Sequence, residues 1–238
     1  MGRIKRYRTA LARYQHSKGF GIHSPFAFGF VLTVLRERNP YYCYTGLHEL
    51  RRMVIDRTSR HFRHPRVISF KSAKMIFRIT NHFNPALILQ IGTSYGVSTA
   101  SMLTVSGQSR LVLCEARLGE FPVTHDVLER YRNRISHFRD VGEAIAHYSG
   151  RLDGVDPYVL VNCVADDAEY SAAISYLATV MRGRGVVIMR NLSRNNKMKE
   201  LWRECKSMAV YGMTFSNEKT AVLVVDPKLP RQDFLLWF

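Results

Sequence analysis

From residue 86 onward, the sequence alternates between short apolar runs and stretches of helical periodicity, and this alternation constrains the fold more than any other feature. Five runs are strand-like: ALILQI (86–91), LVLCE (111–115), ISHF (135–138), YVLVNCV (158–164) and GVVIM (185–189). Helical patterns lie between them, for example around 121–134 and 167–182. Apolar strands that alternate with helices are typical of a parallel sheet covered on both faces. Two later segments, MAVYGMTF and KTAVLVVD, predict a terminal pair of strands.

The first 84 residues have a different pattern. Apolar residues recur at helical spacing in four segments, which begin near Ile4, Phe26, Leu47 and Phe70. The fourth helix should stop at Asn84, because the following Pro85 disfavours the helical conformation of the residue before it. The sequence therefore predicts two domains, a basic α-helical N-terminal extension over 1–84 and an α/β domain over 85–238.

The charge of the chain supports this division. The net charge is +16, and residues 1–80 hold 17 Lys and Arg residues against three acidic residues, whereas the rest of the chain is nearly balanced. Such a surface suits an acidic partner, for example a nucleic acid or an anionic lipid surface. A basic face that only contacts solvent is the alternative, and the sequence contains no recognised nucleic-acid-binding module that would decide between them.

Two features bear on the location of the protein. The longest stretch without charged residues is 19–35, and a helix from Pro25 to Leu35 would rise only about 16 Å, so no transmembrane segment is expected. The four cysteines form no C-x-x-C pair and three lie in apolar runs. They predict reduced, buried thiols in a cytoplasmic protein.

The turn after the first predicted strand, Gly92-Thr93-Ser94-Tyr95-Gly96, is the first candidate for a functional site. It fits the G-x-S-x-G elbow of serine hydrolases, but the catalytic histidine of that class comes late in the chain and the last 91 residues contain no histidine. The second hypothesis is a cofactor site, because a glycine-rich turn that opens onto a helix is where open α/β sheets bind nucleotides.

Two carboxylates support the cofactor hypothesis. Glu115 ends the second predicted strand, about twenty residues beyond the turn, where a carboxylate can accept both hydroxyl groups of a ribose. Asp140 ends the third strand and could meet an adenine amino group. The carboxyl ends of parallel strands lie at one edge of a sheet, so these groups and the turn are expected to be close together.

With these residues the chain resembles the class I S-adenosylmethionine-dependent methyltransferases. In particular, it resembles a Bacteroidetes group with an H-S-P-F amino-terminal element and an E-L-G-T-S-x-G first motif. The corresponding segments here are His23-Ser24-Pro25-Phe26 and Gln90-Ile91-Gly92-Thr93-Ser94-Tyr95-Gly96. The resemblance implies a Rossmann-like seven-stranded sheet, mostly parallel with an antiparallel last strand. It also implies an S-adenosylmethionine site, with S-adenosylhomocysteine as product, formed by Gln90, Gly92, Thr93, Ser94, Tyr95, Gly96, Glu115 and Asp140.

The sequence departs from this family on the acceptor side of the site. The acid that opens the first motif is replaced by Gln90, and the acids expected at the ends of the fourth and fifth strands are replaced by Asn162, Arg190 and Asn191. Hard cations prefer carboxylate oxygens and a guanidinium repels them, so no divalent metal is expected. Asp166 and Asp167 lie nearby, but an Asp pair before a helical pattern is more often a helix cap.

Two functions therefore remain open. One is a metal-independent methyltransferase that acts on an unidentified acceptor, for which an acidic molecule is a candidate, with no general base that the sequence identifies. The other is a degenerate relative that keeps the fold as a binding or interaction module, a pseudoenzyme. The glycine turn, Glu115 and Asp140 favour activity, whereas Gln90 and the three changed acceptor-side positions favour degeneration.

Overall fold

The computed structural model of the protein describes residue 14 and residues 17–63, 67–93, 95–116 and 122–238. The first predicted helix, near Ile4, and the predicted cofactor contact Ser94 lie outside the described residues. The other three N-terminal helices are confirmed. They are α1 (Pro25–Phe30), which continues as a π-helical turn over Val31–Leu35, α2 (Cys43–Ser59) and α3 (Phe70–Phe83).

Local sequence signals explain where α1 and α3 begin and where α3 ends. Ser24 caps α1, because its hydroxyl accepts the N–H of Ala27 at 3.3 Å and Pro25 fills the first helical position. Ser69 caps α3 in the same way. At the end of α3, Asn84 adopts a left-handed φ of 42° directly before Pro85, so the helix stops where the sequence predicts.

Eight strands of the described chain form one sheet, in the order β3-β2-β1-β4-β5-β7-β6-β8. Strands β1 to β5 are parallel, β7 is antiparallel to both of its neighbours, and β8 runs parallel to β6. The strands are β1 (Leu87–Ile91), β2 (Arg110–Cys114), β3 (Ile135–Phe138), β4 (Tyr158–Val161), β5 (Gly185–Arg190), β6 (Met213–Ser216), β7 (Thr220–Val225) and β8 (Gln232–Leu235). The connecting helices are α4 (Val97–Leu103), α5 (Pro122–Glu129), α6 (Val141–Ser149), α7 (Asp167–Arg182) and α8 (Asn196–Met208).

The predicted strand number was wrong, because the sheet has eight strands and not seven. The additional strand β8 is four residues long, and only Phe234 in it is buried, so it lacks the apolar run that marks the other strands. The antiparallel strand is also not the last one. The chain passes β6 first and then returns through β7 between β5 and β6.

The N-terminal helices belong to the same hydrophobic core as one face of the sheet. Helices α1 to α5 cover this face, and the ring of Phe30 lies 4.9 Å from that of Phe215 in β6. The hydroxyl groups of Thr80 in α3 and Tyr158 in β4 are hydrogen-bonded at 2.8 Å inside this core. The division of the chain into two domains at residue 84 remains a prediction. The described N-terminal helices have no hydrophobic core of their own and share one with the sheet.

Helices α6, α7 and α8 cover the other face of the sheet. Side chains alternate along each strand between the two faces, so in β5 Ile188 contributes to the first core and Met189 to the second. Asp166 caps α7 by accepting the N–H of Glu169 at 2.8 Å, as the sequence predicts. Among the described helices, none combines the length and apolar character needed to cross a membrane.

Candidate cofactor and acceptor site

The candidate site lies where the carboxyl ends of β1 and β4 meet. The helix that follows β1, α4, packs on one face of the sheet, and the helix that follows β4, α7, packs on the other. Neighbouring parallel strands whose helices lie on opposite faces leave a crevice between their ends, and open α/β sheets bind ligands there. The predicted cofactor residues follow β1, β2 and β3, except for Gln90, which lies within β1. The predicted acceptor-side residues follow or end β4 and β5.

The glycine turn after β1 has the backbone that its sequence predicts. Gly92 and Gly96 have φ angles of +72° and +78°, which favour glycine over residues with a side chain. A Cβ atom at Gly92 would lie 2.7 Å from the Sγ of Cys163, and one at Gly96 would lie 2.6 Å from a methyl group of Val127. Within the turn, the hydroxyl of Thr93 accepts the N–H of Gly96 at 2.9 Å. The turn is therefore held close to the loop after β4 and to α5.

Glu115 contacts the turn directly. Its Oε2 accepts the backbone N–H of Thr93 at 2.8 Å, although the two residues are 22 positions apart. The side chain is only partly exposed. A carboxylate at the end of β2 thus both fixes the turn and lies at the rim of the crevice, where the sequence placed it.

Gln90 lies behind the turn. It is completely buried, its Nε2 donates to the carbonyl of Gly92 at 2.9 Å and to the hydroxyl of Ser98 at 3.2 Å, and its Oε1 accepts the hydroxyl of Thr99 at 2.9 Å. The amide is suited to this position because it donates and accepts at once. Gln90 therefore connects β1, the turn and the start of α4, and any role in cofactor binding would act through the shape of the turn.

Asn162 is the second side chain that holds the carbonyl of Gly92. Its Nδ2 donates to that oxygen at 2.7 Å, and its Oδ1 accepts Nη1 of Arg190 at 2.7 Å. Asn191 has a left-handed φ of 60° and donates through Nδ2 to the carbonyl of Asn162 at 2.9 Å. The three acceptor-side candidates and the glycine turn thus form one hydrogen-bonded group, which we call the tip network: Gln90, Gly92, Asn162, Arg190 and Asn191.

Arg190 carries the charge of the tip network. The side chain is 8% exposed, and burial lowers the pKa of Arg190 to about 10, so the guanidinium is still a cation at neutral pH. In the part of the chain that the structure describes, no carboxylate lies at ion-pair distance from it. Its Nε is buried and has no hydrogen-bond partner among the described residues.

Asp140 and Tyr95 are the remaining predicted residues that the structure describes. Asp140 is exposed at the end of β3, and its Oδ1 accepts the N–H of Glu143 as the cap of α6, which leaves Oδ2 outside this hydrogen bond. Tyr95 has a left-handed φ of 53°, and its partly buried ring packs against the first core. Cys163, Ser98 and Thr99 were not predicted from the sequence, because nothing in their local pattern shows which distant atoms they contact.

The residues present fit a nucleoside better than a metal ion. A turn that only glycines allow, beside a carboxylate, provides the close backbone approach and the hydroxyl acceptor that a nucleoside needs. No group of three or more His, Cys, Asp or Glu residues in the described chain is placed to hold a metal ion. The cationic Arg190 would repel a divalent ion at the ends of β4 and β5.

Several solved structures of methyltransferases have a similar architecture. An O-methyltransferase from Bacillus cereus, determined in complex with S-adenosylhomocysteine, has a TM-score of 0.54 at 16% identity, covering 81% of this chain and 96% of its own. A methyltransferase from Geobacter sulfurreducens has a TM-score of 0.53 at 14% identity, covering 73% and 86%. An S-adenosylhomocysteine-bound methyltransferase from Podospora anserina has a TM-score of 0.52 at 10% identity, covering 95% and 97%.

No protein-family model and no curated protein matches the sequence. The structural similarity nevertheless confirms the coarse prediction of the fold, since the protein has an α/β fold with a mostly parallel sheet that matches these methyltransferase structures. At these identities the similarity establishes the fold alone, and the activity has to be argued from the residues of this chain.

Proposed function

We propose that the protein is an S-adenosylmethionine-dependent methyltransferase that works without a metal ion. The observation that carries this proposal is the contact between Glu115 and the turn, since it places a carboxylate beside a glycine-rich turn at the carboxyl edge of a methyltransferase sheet. S-adenosylmethionine is the proposed cofactor and S-adenosylhomocysteine the product. The solved O-methyltransferase from Bacillus cereus binds the latter.

The proposed contacts follow the geometry of the crevice. Gly92, Thr93, Ser94 and Gly96 would line the methionine end of the cofactor, with Tyr95 beside them. Glu115 would accept the ribose hydroxyls, and Asp140 would meet the adenine. The roles of Ser94 and of these polar contacts rest on the sequence motif, and the backbone of the described turn supports them.

Methyl transfer requires little chemistry from the protein. The acceptor atom forms a bond to the methyl carbon as the carbon–sulfur bond breaks, the electron pair of that bond returns to sulfur, and any proton of the acceptor passes to water or a base. The protein has to align the two reactants, and such alignment can supply about 7–11 kcal/mol of the barrier reduction. The tip network can contribute to this alignment without a metal, because its hydrogen bonds fix the turn and the acceptor side of the crevice together.

The alternative is a binding module that keeps the fold and has lost the reaction. The same tip network favours it, since Gln90 and Asn162 use their hydrogen bonds on the carbonyl of Gly92. Three further points are proposed for both candidate functions. They are the narrower resemblance to the H-S-P-F group, a cytoplasmic location and an acidic partner for residues 1–80. In the structure, the Ser24-Pro25 part of that motif starts α1.

Cofactor binding can be tested by calorimetric titration of S-adenosylmethionine and S-adenosylhomocysteine. In the Glu115→Gln variant the amide can still accept the N–H of Thr93, but it cannot replace a charged acceptor for two ribose hydroxyls. Charged hydrogen bonds contribute about 1 kcal/mol more than neutral ones, so the dissociation constant should rise about 10- to 100-fold. Glu129→Gln is the matched control, because Glu129 is exposed on α5 and pairs only with Arg132 among the described residues.

The two functions give different results in this experiment. Absence of binding to the wild-type protein at millimolar nucleoside would refute both the cofactor site and the methyltransferase proposal. If both nucleosides bind but labelled methyl groups from S-adenosylmethionine reach no component of a cell extract, the binding-module alternative replaces the enzyme.

A further inference from the structure

Two charged side chains are buried in the described part of the chain, and they differ in how the fold satisfies them. Arg78 in α3 is 7% exposed and donates from all three of its nitrogens, to the carbonyls of Val34 and Leu35 at 2.6 and 2.9 Å and to the hydroxyl of Tyr44 at 3.4 Å. Arg78 therefore has a structural role that accounts for its burial, because it satisfies the carbonyls of the π-helical turn.

The described residues give no comparable structural reason for the burial of Arg190. It makes one hydrogen bond, from Nη1 to the side chain of Asn162, and its Nε is enclosed without a partner. Burying an ionised group without a counter-ion is costly, and burying an unsatisfied N–H adds to that cost. A side chain of this kind, at the edge of a sheet where ligands bind, indicates that its partner is a ligand.

The free groups of Arg190 also define the shape of that ligand. Nη1 donates to Asn162, and Nε and Nη2, which make no hydrogen bond to a described residue, form the edge of a guanidinium that binds a carboxylate or phosphate through two parallel hydrogen bonds. Arg190 is 8% exposed as a residue while Nε itself is buried, so an anion would bind in a largely desolvated position.

The position of Arg190 separates this ligand from the cofactor. The backbone of Arg190 ends β5, which is separated from β1 by β4, so it lies about 10 Å along the sheet from the start of the glycine turn. Its guanidinium reaches toward the turn and is connected to the carbonyl of Gly92 through the side chain of Asn162. Glu115 lies on the opposite side of the turn, at the end of β2. The cation is thus on the acceptor side of the crevice.

We propose that Arg190 binds a carboxylate or phosphate group of the methyl acceptor. This inference rests on the proposed methyltransferase function and specifies its substrate class: the acceptor is an organic acid or a phosphate ester, and the fixed guanidinium orients it. Asn162 is then a positioning residue, because its Oδ1 holds the guanidinium in place while its Nδ2 holds the glycine turn.

The test measures the melting temperature of the full chain in inorganic phosphate, in acetate and in chloride at equal ionic strength. A bound anion stabilises the native state by RT ln(1 + [L]/Kd), which at a tenfold excess over Kd is about 1.4 kcal/mol, or roughly 3–6 °C for a chain of this size. We expect a saturable rise of this order in phosphate or acetate for the wild-type protein. The Arg190→Met variant should lose it.

Two further variants make the result specific. Arg203→Met removes the same charge from an exposed site on α8 and should keep the full anion response. Arg190→Lys keeps the positive charge but lacks the two parallel N–H donors of the guanidinium, so it should keep only part of the anion response. If Arg190→Met does not fold, the comparison of Arg190→Lys with the wild-type protein carries the test. An undiminished response in the Met variant, or in the Lys variant where that carries the test, would overturn the proposal, as would the absence of any response in the wild-type protein.

Titration of S-adenosylhomocysteine separates the acceptor from the cofactor. We expect the affinity of Arg190→Met for this nucleoside to stay within about threefold of the wild-type value. A loss greater than tenfold would assign Arg190 to the methionine carboxylate of the cofactor and overturn the acceptor assignment. If the wild-type protein binds phosphate through Arg190 but no nucleoside, the methyltransferase proposal fails and the acceptor assignment fails with it, whereas the anion site itself remains.

Discussion

The tight contact between Gly92 and Cys163 leads to a quantitative prediction for the Gly92→Ala variant. The φ angle of +72° costs a residue with a Cβ atom about 1–2 kcal/mol. The new Cβ would also lie 2.7 Å from Sγ and 3.3 Å from the carbonyl oxygen of Cys163, and such overpacking costs about 1–3 kcal/mol. Gly92→Ala should therefore reduce the free energy of unfolding by about 2–5 kcal/mol.

A double-mutant cycle divides this loss into its two causes. Cys163→Ala removes the Sγ atom, so in the double variant the steric part should be relieved while the cost of the positive φ remains. We expect a coupling energy of about 1–3 kcal/mol between the two sites. The assay is urea unfolding followed by circular dichroism and tryptophan fluorescence, whose transitions must coincide before free energies are derived.

Gly107→Ala is the control, because no atom lies within 4 Å of a Cβ built at Gly107 and its φ is not in the left-handed region. This variant should stay within about 0.5 kcal/mol of the wild-type protein. A Gly92→Ala variant as stable as the control would show that the turn is not held against the loop after β4. A double variant whose loss equals the sum of the single losses would refute the steric contact with Sγ.

Three further predictions test other parts of the structure. Iodoacetamide should modify Cys163 first, because Cys163 is partly exposed whereas burial raises the pKa of the other three thiols. S-adenosylhomocysteine should slow this modification, and peptide mass spectrometry would measure both effects. Equal rates at all four cysteines would contradict the structure. Tyr158→Phe should lower the free energy of unfolding by about 0.5–1.5 kcal/mol, because it removes the buried hydrogen bond to Thr80, and a loss near zero in urea unfolding would count against that bond. His82 is exposed, but its ring packs against Phe30 and Phe83, and this partial loss of hydration lowers the pKa of His82 below its ordinary 6.5. The unfolded chain therefore binds the proton first, and stability should fall as the pH drops through 6.5. Thermal unfolding of His82→Gln should show a weaker acid dependence, and an identical pH profile would refute this.

Much of the sheet was predictable because most of its strands are buried runs of apolar residues. The run ISHF coincides with β3, and the run at 86–91 differs from β1 by one residue. The strand β8 could not be found in this way, since its sequence QDFL begins with two polar residues and its place depends on pairing with β6. The insertion of β7 between β5 and β6 is likewise a matter of topology, which local periodicity does not contain.

The sequence could predict where the candidate site residues lie along the strands, but it could not predict the contacts that they make. The positions of Gln90, Asn162 and Arg190 at strand ends follow from strand boundaries and from the family resemblance. That Gln90 and Asn162 both bind the carbonyl of Gly92, and that Asn162 also holds Arg190, depends on how neighbouring strands are aligned in the folded sheet. The same alignment brings Cys163 against the turn, and its sequence neighbourhood gives no sign of this.

The packing of α1 has a consequence for the order of events during synthesis. Phe30 packs against Phe215, and the hydroxyl of Ser17 accepts the N–H of Trp237 at 2.6 Å, so early residues depend on late ones. At about 5–20 residues per second, the ribosome needs roughly 10–40 s to add the approximately 185 residues between the two phenylalanines. Throughout that interval the nascent chain presents the apolar side of α1 without its partner strand, so the last step that completes this part of the core is the arrival of β6.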